Sequence, residues 1–180
     1  MKKLLSLMLL FMAAVMTTAT FTACGDDDDD DNNTATVAGS YTGKDTLNFA
    51  FGKQNFKQAN TADVNYVINQ NNDGSISVVI PEETFDFTAV KIGNMSIGKI
   101  VQGSYSVTNI PYDATKKAYY LDYSDKANAN VLVFGKEKNY TVTDGQITVS
   151  FSGNKVTVVN VHKFVSMPMG MTGTFVGTRK

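Results

Sequence analysis

The sequence predicts an all-β fold: a single antiparallel up-and-down β-barrel after a cleaved signal peptide and a disordered acidic tether. Three observations predict it. From residue 37 onward apolar and polar residues alternate with period two, and no stretch has the spacing of a long amphipathic helix. Turn-forming residues interrupt these stretches at short intervals, the rhythm of an antiparallel sandwich or barrel. Gly39-Ser40-Tyr41-Thr42-Gly43 opens the region, and Gly173-Thr174-Phe175-Val176-Gly177 closes it with the same order of residue types. A closed barrel pairs its first and last strands, and glycines permit the close approach this needs.

Residues 1–23 have the layout of a lipoprotein signal peptide. Lys2 and Lys3 precede the apolar run Leu4 to Met16, and small residues lead from Thr17 to Ala23. Cys24 is the only cysteine, so it has no intramolecular disulfide partner in an exported chain. Phe21-Thr22-Ala23-Cys24 resembles a bacterial lipobox, which implies acylation of the Cys24 thiol, palmitate included, and a membrane anchor. The alternative, a retained membrane helix, needs about 20 apolar residues, whereas four threonines fall in the last seven positions.

Residues 24–36 form the tether. Asp26, Asp27, Asp28, Asp29, Asp30 and Asp31 repel one another and have nothing apolar to bury, so they are expected to be extended and solvated. The run lacks the turn glycine and spaced ligands of an EF-hand loop, and no metal site is assigned to it. An acidic run directly after a lipidated cysteine resembles the export signal of surface lipoproteins in Bacteroidota. That resemblance implies an outer-membrane lipoprotein exposed on the cell surface; a periplasm-facing orientation is the alternative.

The domain is assigned to residues 37–180. Two of the 16 basic residues lie in the signal and six of the 17 acidic ones in the tether, leaving 14 basic and 11 acidic side chains, a net +3. The lysines are scattered, without the basic stripe that nucleic-acid binding needs. Candidate strands span 38–43, 45–51, 62–69, 75–80, 84–91, 95–101, 104–109, 117–123, 129–135, 138–143 and 169–177, some adjoining pieces being candidates for one bent strand. Ile147, Val149 and Phe151 alternate before a Gly153-Asn154 turn, and the return strand starts at Lys155 with Val156 and Val158 inward. At Val158-Val159 the apolar phase slips, which predicts a β-bulge that keeps Val159 and Val161 inside. Asn71-Asn72-Asp73-Gly74 and Thr143-Asp144-Gly145 predict further turns, and Pro81 and Pro111 mark breaks.

As a set, Gly39 to Gly43, Phe85-Asp86-Phe87 with Ile92-Gly93-Asn94-Met95-Ser96-Ile97-Gly98, and Met169 to Thr178 resemble the calycin-like β-barrel domain of Bacteroidota lipoproteins. The resemblance covers about Val37 to Arg179 and implies a lipocalin-like barrel without a settled activity. The chain has no tryptophan, and Gly39-Ser40-Tyr41 stands where true lipocalins carry Gly-x-Trp.

Reaction chemistry is sparse. His162 is the only histidine and has no nucleophile motif beside it; strand alternation with Val161 predicts that it faces solvent. Glu82-Glu83 after Pro81 predicts a solvated turn, and Asp122 and Asp125 flank Tyr123 at a strand end. No catalytic residue, metal site or cofactor is assigned. Met167, Met169 and Met171 alternate on one face with Phe175, and Phe85 and Phe87 supply a facing wall. These six side chains either pack a solid core or line an apolar cavity, because small barrels do either. Tyr119-Tyr120 and Tyr123 suit a pocket mouth, a partner surface or an ordinary sheet. Asp45-Thr46-Leu47 resembles a short O-glycosylation acceptor motif, with Thr46 as the acceptor. The function expected is a lipid-anchored, non-catalytic binding barrel for a small apolar ligand or a glycan. A structural or protein-interaction lipoprotein with a solid barrel is the alternative, and a hydrolase is third.

Overall fold

In the computed structural model the described residues are 36–180 except 125, 134, 135, 167 and 168. Thirteen strands form one antiparallel sheet that curls into a half-barrel. They are β1 (Gly39–Phe51), β2 (Gln54–Ala59), β3 (Val64–Gln70), β4 (Ile76–Ile80), β5 (Glu83–Ile92), β6 (Met95–Gln102), β7 (Tyr105–Ile110), β8 (Tyr112–Asp113), β9 (Ala118–Asp122), β10 (Asn128–Val133), β11 (Lys136–Ser152), β12 (Lys155–Phe164) and β13 (Gly170–Arg179). No helix of the described residues is long and apolar enough to cross a membrane.

Four long strands in the order β11-β12-β13-β1 make a continuous wall. The first and last strands pair as expected, from Tyr41 opposite Arg179 to Phe49 opposite Met171. Gly43 lies directly opposite Gly177. A Cβ on Gly43 would stand 2.0 Å from the Val176 carbonyl oxygen, so the backbones approach too closely for any side chain there.

The wall branches at both sides. The first half of β1 pairs with β3 and its second half with β2. Likewise β11 pairs with β10 through Lys136 to Thr141 and with β9 through Gln146 to Val149. The β5-β6 hairpin leaves sequential order: β4 neighbours β7, and β6 neighbours β10. The curl is held at β2 and β5 by one isolated bridge, Asn60 with Phe85, and by a hydrogen bond from the Thr61 amide to the Thr84 carbonyl.

Several sequence expectations are corrected. Segments 38–43 and 45–51 are one strand, as are 138–143 and the arm beginning at Ile147. Asp144-Gly145 is not a turn but a bulge inside β11, where the register shifts between Thr143 and Gln146. Gly145 fits there because the Tyr123 ring packs against it, with a Cβ landing 2.8 Å from the ring. No bulge occurs at Val158-Val159. β12 alternates without interruption, so Val156, Val158, Asn160, His162 and Phe164 point inward while Val161 is exposed. β2 and β8 were not expected: β2 is nearly all exposed and β8 has two residues, so neither has an alternating signature.

Candidate functional site

The inward phase of the wall carries polar side chains into an otherwise apolar core. On β1, Asp45 follows Tyr41 and precedes Leu47 and Phe49 on the inner face, and all four are buried. The neighbouring strand β3 contributes Tyr66, opposite Tyr41, and the start of β5 contributes Glu83, both buried. The Tyr66 hydroxyl lies 2.9 Å from Asp45 Oδ2 and 3.2 Å from Glu83 Oε1. It has a single proton to donate. The two carboxyl groups are hydrogen-bonded to each other.

Burial raises the Glu83 pKa to about 9, reinforced by the negative charge of Asp45 and its hydrogen bond. Burial also raises Asp45, opposed by hydrogen bonds from Tyr66, Glu83 and the Thr46 amide. Two adjacent carboxylates in low dielectric cannot both ionise cheaply, so the pair holds one proton on Glu83 at neutral pH. Asn60 completes this cluster: its Oδ1 accepts the Asp45 amide at 3.2 Å, and its buried Nδ2 has no partner among the described residues.

A second cluster crosses the core beside the first. Asn160 on β12 donates through Nδ2 to the Tyr105 hydroxyl and accepts from the Tyr123 hydroxyl, both at 2.6 Å. His162, two residues on, has Nε2 3.2 Å from Gln102 Oε1 and Nδ1 3.3 Å from the Asn160 carbonyl. Burial lowers the His162 pKa to about 4, so the ring is neutral at pH 7. His162 therefore does not face solvent, and Glu83 is not part of a solvated turn. Both expectations fail because hydrogen-bonded polar groups are tolerated inside a barrel. Acid–base chemistry on a substrate requires reach, and Asp45, Tyr66, Glu83 and His162 are each at most 3% exposed.

Phe85, Phe87, Met169, Met171 and Phe175 all lie in the one core cluster. Phe87 meets Phe49 edge-on at 5.2 Å, and Phe175 stacks on Tyr66 at 3.9 Å. Met167, Cys24 and Asp26 to Asp31 lie outside the described residues. Thr46 points to the outer face, half-buried, between the buried Asp45 and Leu47. Tyr123 is buried, whereas Tyr119 and Tyr120 are half-buried near the β8-β9 end.

A surface cleft with a volume of about 440 Å³ sits where β6, the turn into β7, β10 and β11 meet. Its polar lining comes from Glu82, Ser104, Asn130, Glu137 and Asn139. β6 and β10 pair at Val131–Gln102 and Leu132–Val101, and beside them the Gly103 amide donates to the Asn130 carbonyl at 2.6 Å. Asn139 Nδ2 donates to Asn130 Oδ1 at 2.8 Å, which fixes both amides and leaves Asn130 Nδ2 and Asn139 Oδ1 free of that bond. Among the described residues no group of three or more His, Cys, Asp or Glu side chains is placed to hold a metal ion.

No protein-family model matches the chain, and no curated protein matches it. Among solved structures, a predicted outer membrane protein from Bacteroides fragilis is similar at 16% identity and a TM-score of 0.44, over 79% of this chain and 51% of that one. The chain spans about half the length of that protein.

Proposed function

We propose that this chain is a lipid-anchored, cell-surface lipoprotein of the calycin-like kind whose barrel binds a glycan without catalysing a reaction. The cleft lined by Glu82, Ser104, Asn130, Glu137 and Asn139 carries this reading. Its volume of about 440 Å³ falls within the roughly 300–1,000 Å³ of small-molecule sites. Carboxylate acceptors, amide donors and a hydroxyl suit a ligand rich in hydroxyl groups better than an apolar one. Phe85, Phe87, Met169, Met171 and Phe175, candidates for an apolar cavity wall, instead sit in the packed core, where Phe87 and Phe175 make ring-to-ring contacts. The reading as non-catalytic rests on the enclosure of the carboxyl pair.

A glycan-array screen of the intact protein tests the proposal. Asn130→Ala and Glu137→Ala are each expected to weaken binding of any retained glycan about tenfold, the scale of a lost hydrogen bond to a charged or polar group. Retention of no glycan, or unchanged binding by both variants, would favour the structural or protein-interaction reading, which the packed core also suits.

The anchor rests on the lipobox-like Phe21-Thr22-Ala23-Cys24 and the aspartates behind it. Cys24→Ser is expected to abolish fatty-acid labelling and to release the protein from the membrane fraction. Equal labelling of wild type and variant would remove lipid anchoring from the proposal.

A further inference from the structure

The outer face of the wall has a charge pattern that neither the core nor the polar cleft explains. Strand register sets its rows: Val161, Thr172, Asn48 and Lys57 stand side by side across β12, β13, β1 and β2. The next row holds Val159, Thr174, Thr46 and Ala59, and the one after it Thr157, Val176 and Lys44. Lys155 and Lys163 flank these rows on β12. Asp45 is the only acidic residue in β12, β13, β1 and β2, and it is buried on the inner face. The outward positions therefore present lysines, threonines, asparagines and valines without a single carboxylate. A groove of about 280 Å³ runs among Lys44, Thr46, Asn48, Lys57, Thr172 and Thr174, with the exposed Val176 at its edge.

We infer that this groove binds an acidic polysaccharide. Lys44 and Lys57 pair with its carboxylates, and the hydroxyls and amide between them hydrogen-bond its ring hydroxyls. Charge complementarity selects an anion. The recess of hydroxyl and amide groups selects a sugar over a bilayer, which is met by exposed aromatic anchors that this face lacks. Nucleic acid is disfavoured because the face offers no aromatic ring for base stacking. Lys44 Nζ is 3.2 Å from Asp63 Oδ1, but both side chains are at least half exposed, and such pairs yield readily to a competing anion. The site is separate from the Glu82–Asn139 cleft, so either can fail without the other.

The intact protein in nonionic detergent, produced in a host that leaves Thr46 unmodified, is tested by biolayer interferometry against immobilised polygalacturonate, with dextran as the neutral control. Polygalacturonate is expected to retain the protein and dextran is not. The double variant Lys44→Gln/Lys57→Gln should weaken binding roughly tenfold at low salt, where charge pairing is least screened. Lys136→Gln/Lys138→Gln removes the same charge from β11, outside the groove, and should weaken binding clearly less than the groove pair does, because Coulomb attraction falls with distance. Asp63→Asn should tighten binding by freeing Lys44. Thr172→Val/Thr174→Val should weaken it at unchanged charge, and Asn130→Ala should leave it unaltered. Absence of polygalacturonate binding, or equal losses from the two lysine pairs, overturns the proposal. So does capture by anionic phospholipid micelles at matched charge that is insensitive to the threonine changes, which would make the face a membrane contact.

Discussion

Phe175→Ala is expected to lower the stability of the domain by about 3–5 kcal/mol, the range for truncating a buried aromatic ring. Its ring is fully buried, stacks at 3.9 Å and 4° on Tyr66, and lies so close to the Gly177 backbone that a Cβ there would sit 2.3 Å from it. Truncation thus opens a cavity at the β1–β13 pairing and uncovers the Tyr66 hydroxyl between two carboxyl groups. For a domain of this size the melting temperature should fall on the order of 10 °C. Val176→Ala, one residue on and exposed, should stay within about 0.5 kcal/mol of wild type. Urea unfolding followed by circular dichroism measures both. A loss below about 1 kcal/mol for Phe175→Ala would mean that the ring does not pack as described.

The wall of the barrel was legible because its strands have one wet and one dry face. β11, β12 and β13 alternate over most of their length, and the paired glycines of β1 and β13 foretold their contact. Legibility failed where alternation carried polar residues inward. Asn160 and His162 keep the phase of Val156, Val158 and Phe164, yet hydropathy alone favours a slip onto Val159 and Val161. Phe164 was the available signal, since uninterrupted parity leads straight to it.

The same cause hid the inner cluster. Asp45 shares parity with Tyr41, Leu47 and Phe49, and Glu83 shares it with Phe85 and Phe87. A charged residue in an apolar phase is ordinarily taken as an edge or a turn, because an unpaired buried charge is costly. The partners that make burial tolerable, Tyr66 and the second carboxyl group, are 17 to 38 residues away in sequence and meet only when the sheet curls. The outer groove was equally out of reach, because Lys44, Lys57 and Thr174 are brought together by register and not by motif.

The carboxyl pair should make the domain less stable as pH rises from 6.5 to 9. Glu83 has a folded pKa of about 9 against an ordinary value of 4.5. The folded state therefore holds a proton that the unfolded state has released, and stability declines with pH across that interval. Asp45, also raised by burial, acts in the same direction. His162 works the other way: lowered from 6.5 to about 4, it destabilises the fold as pH falls through that range and is silent above 6.5. Tyr66 and Tyr105 have ordinary values of 10.0 and are raised further, so they contribute only at more alkaline pH. The window from 6.5 to 9 consequently isolates the Asp45–Glu83 pair. Wild-type melting temperature should fall steadily through it. Glu83→Gln keeps an N–H donor and a carbonyl acceptor at the same place without a proton to lose, so its curve should decline less steeply there than that of wild type. A pH-independent wild-type curve, or a variant that declines in parallel, would show that the pair does not share a proton.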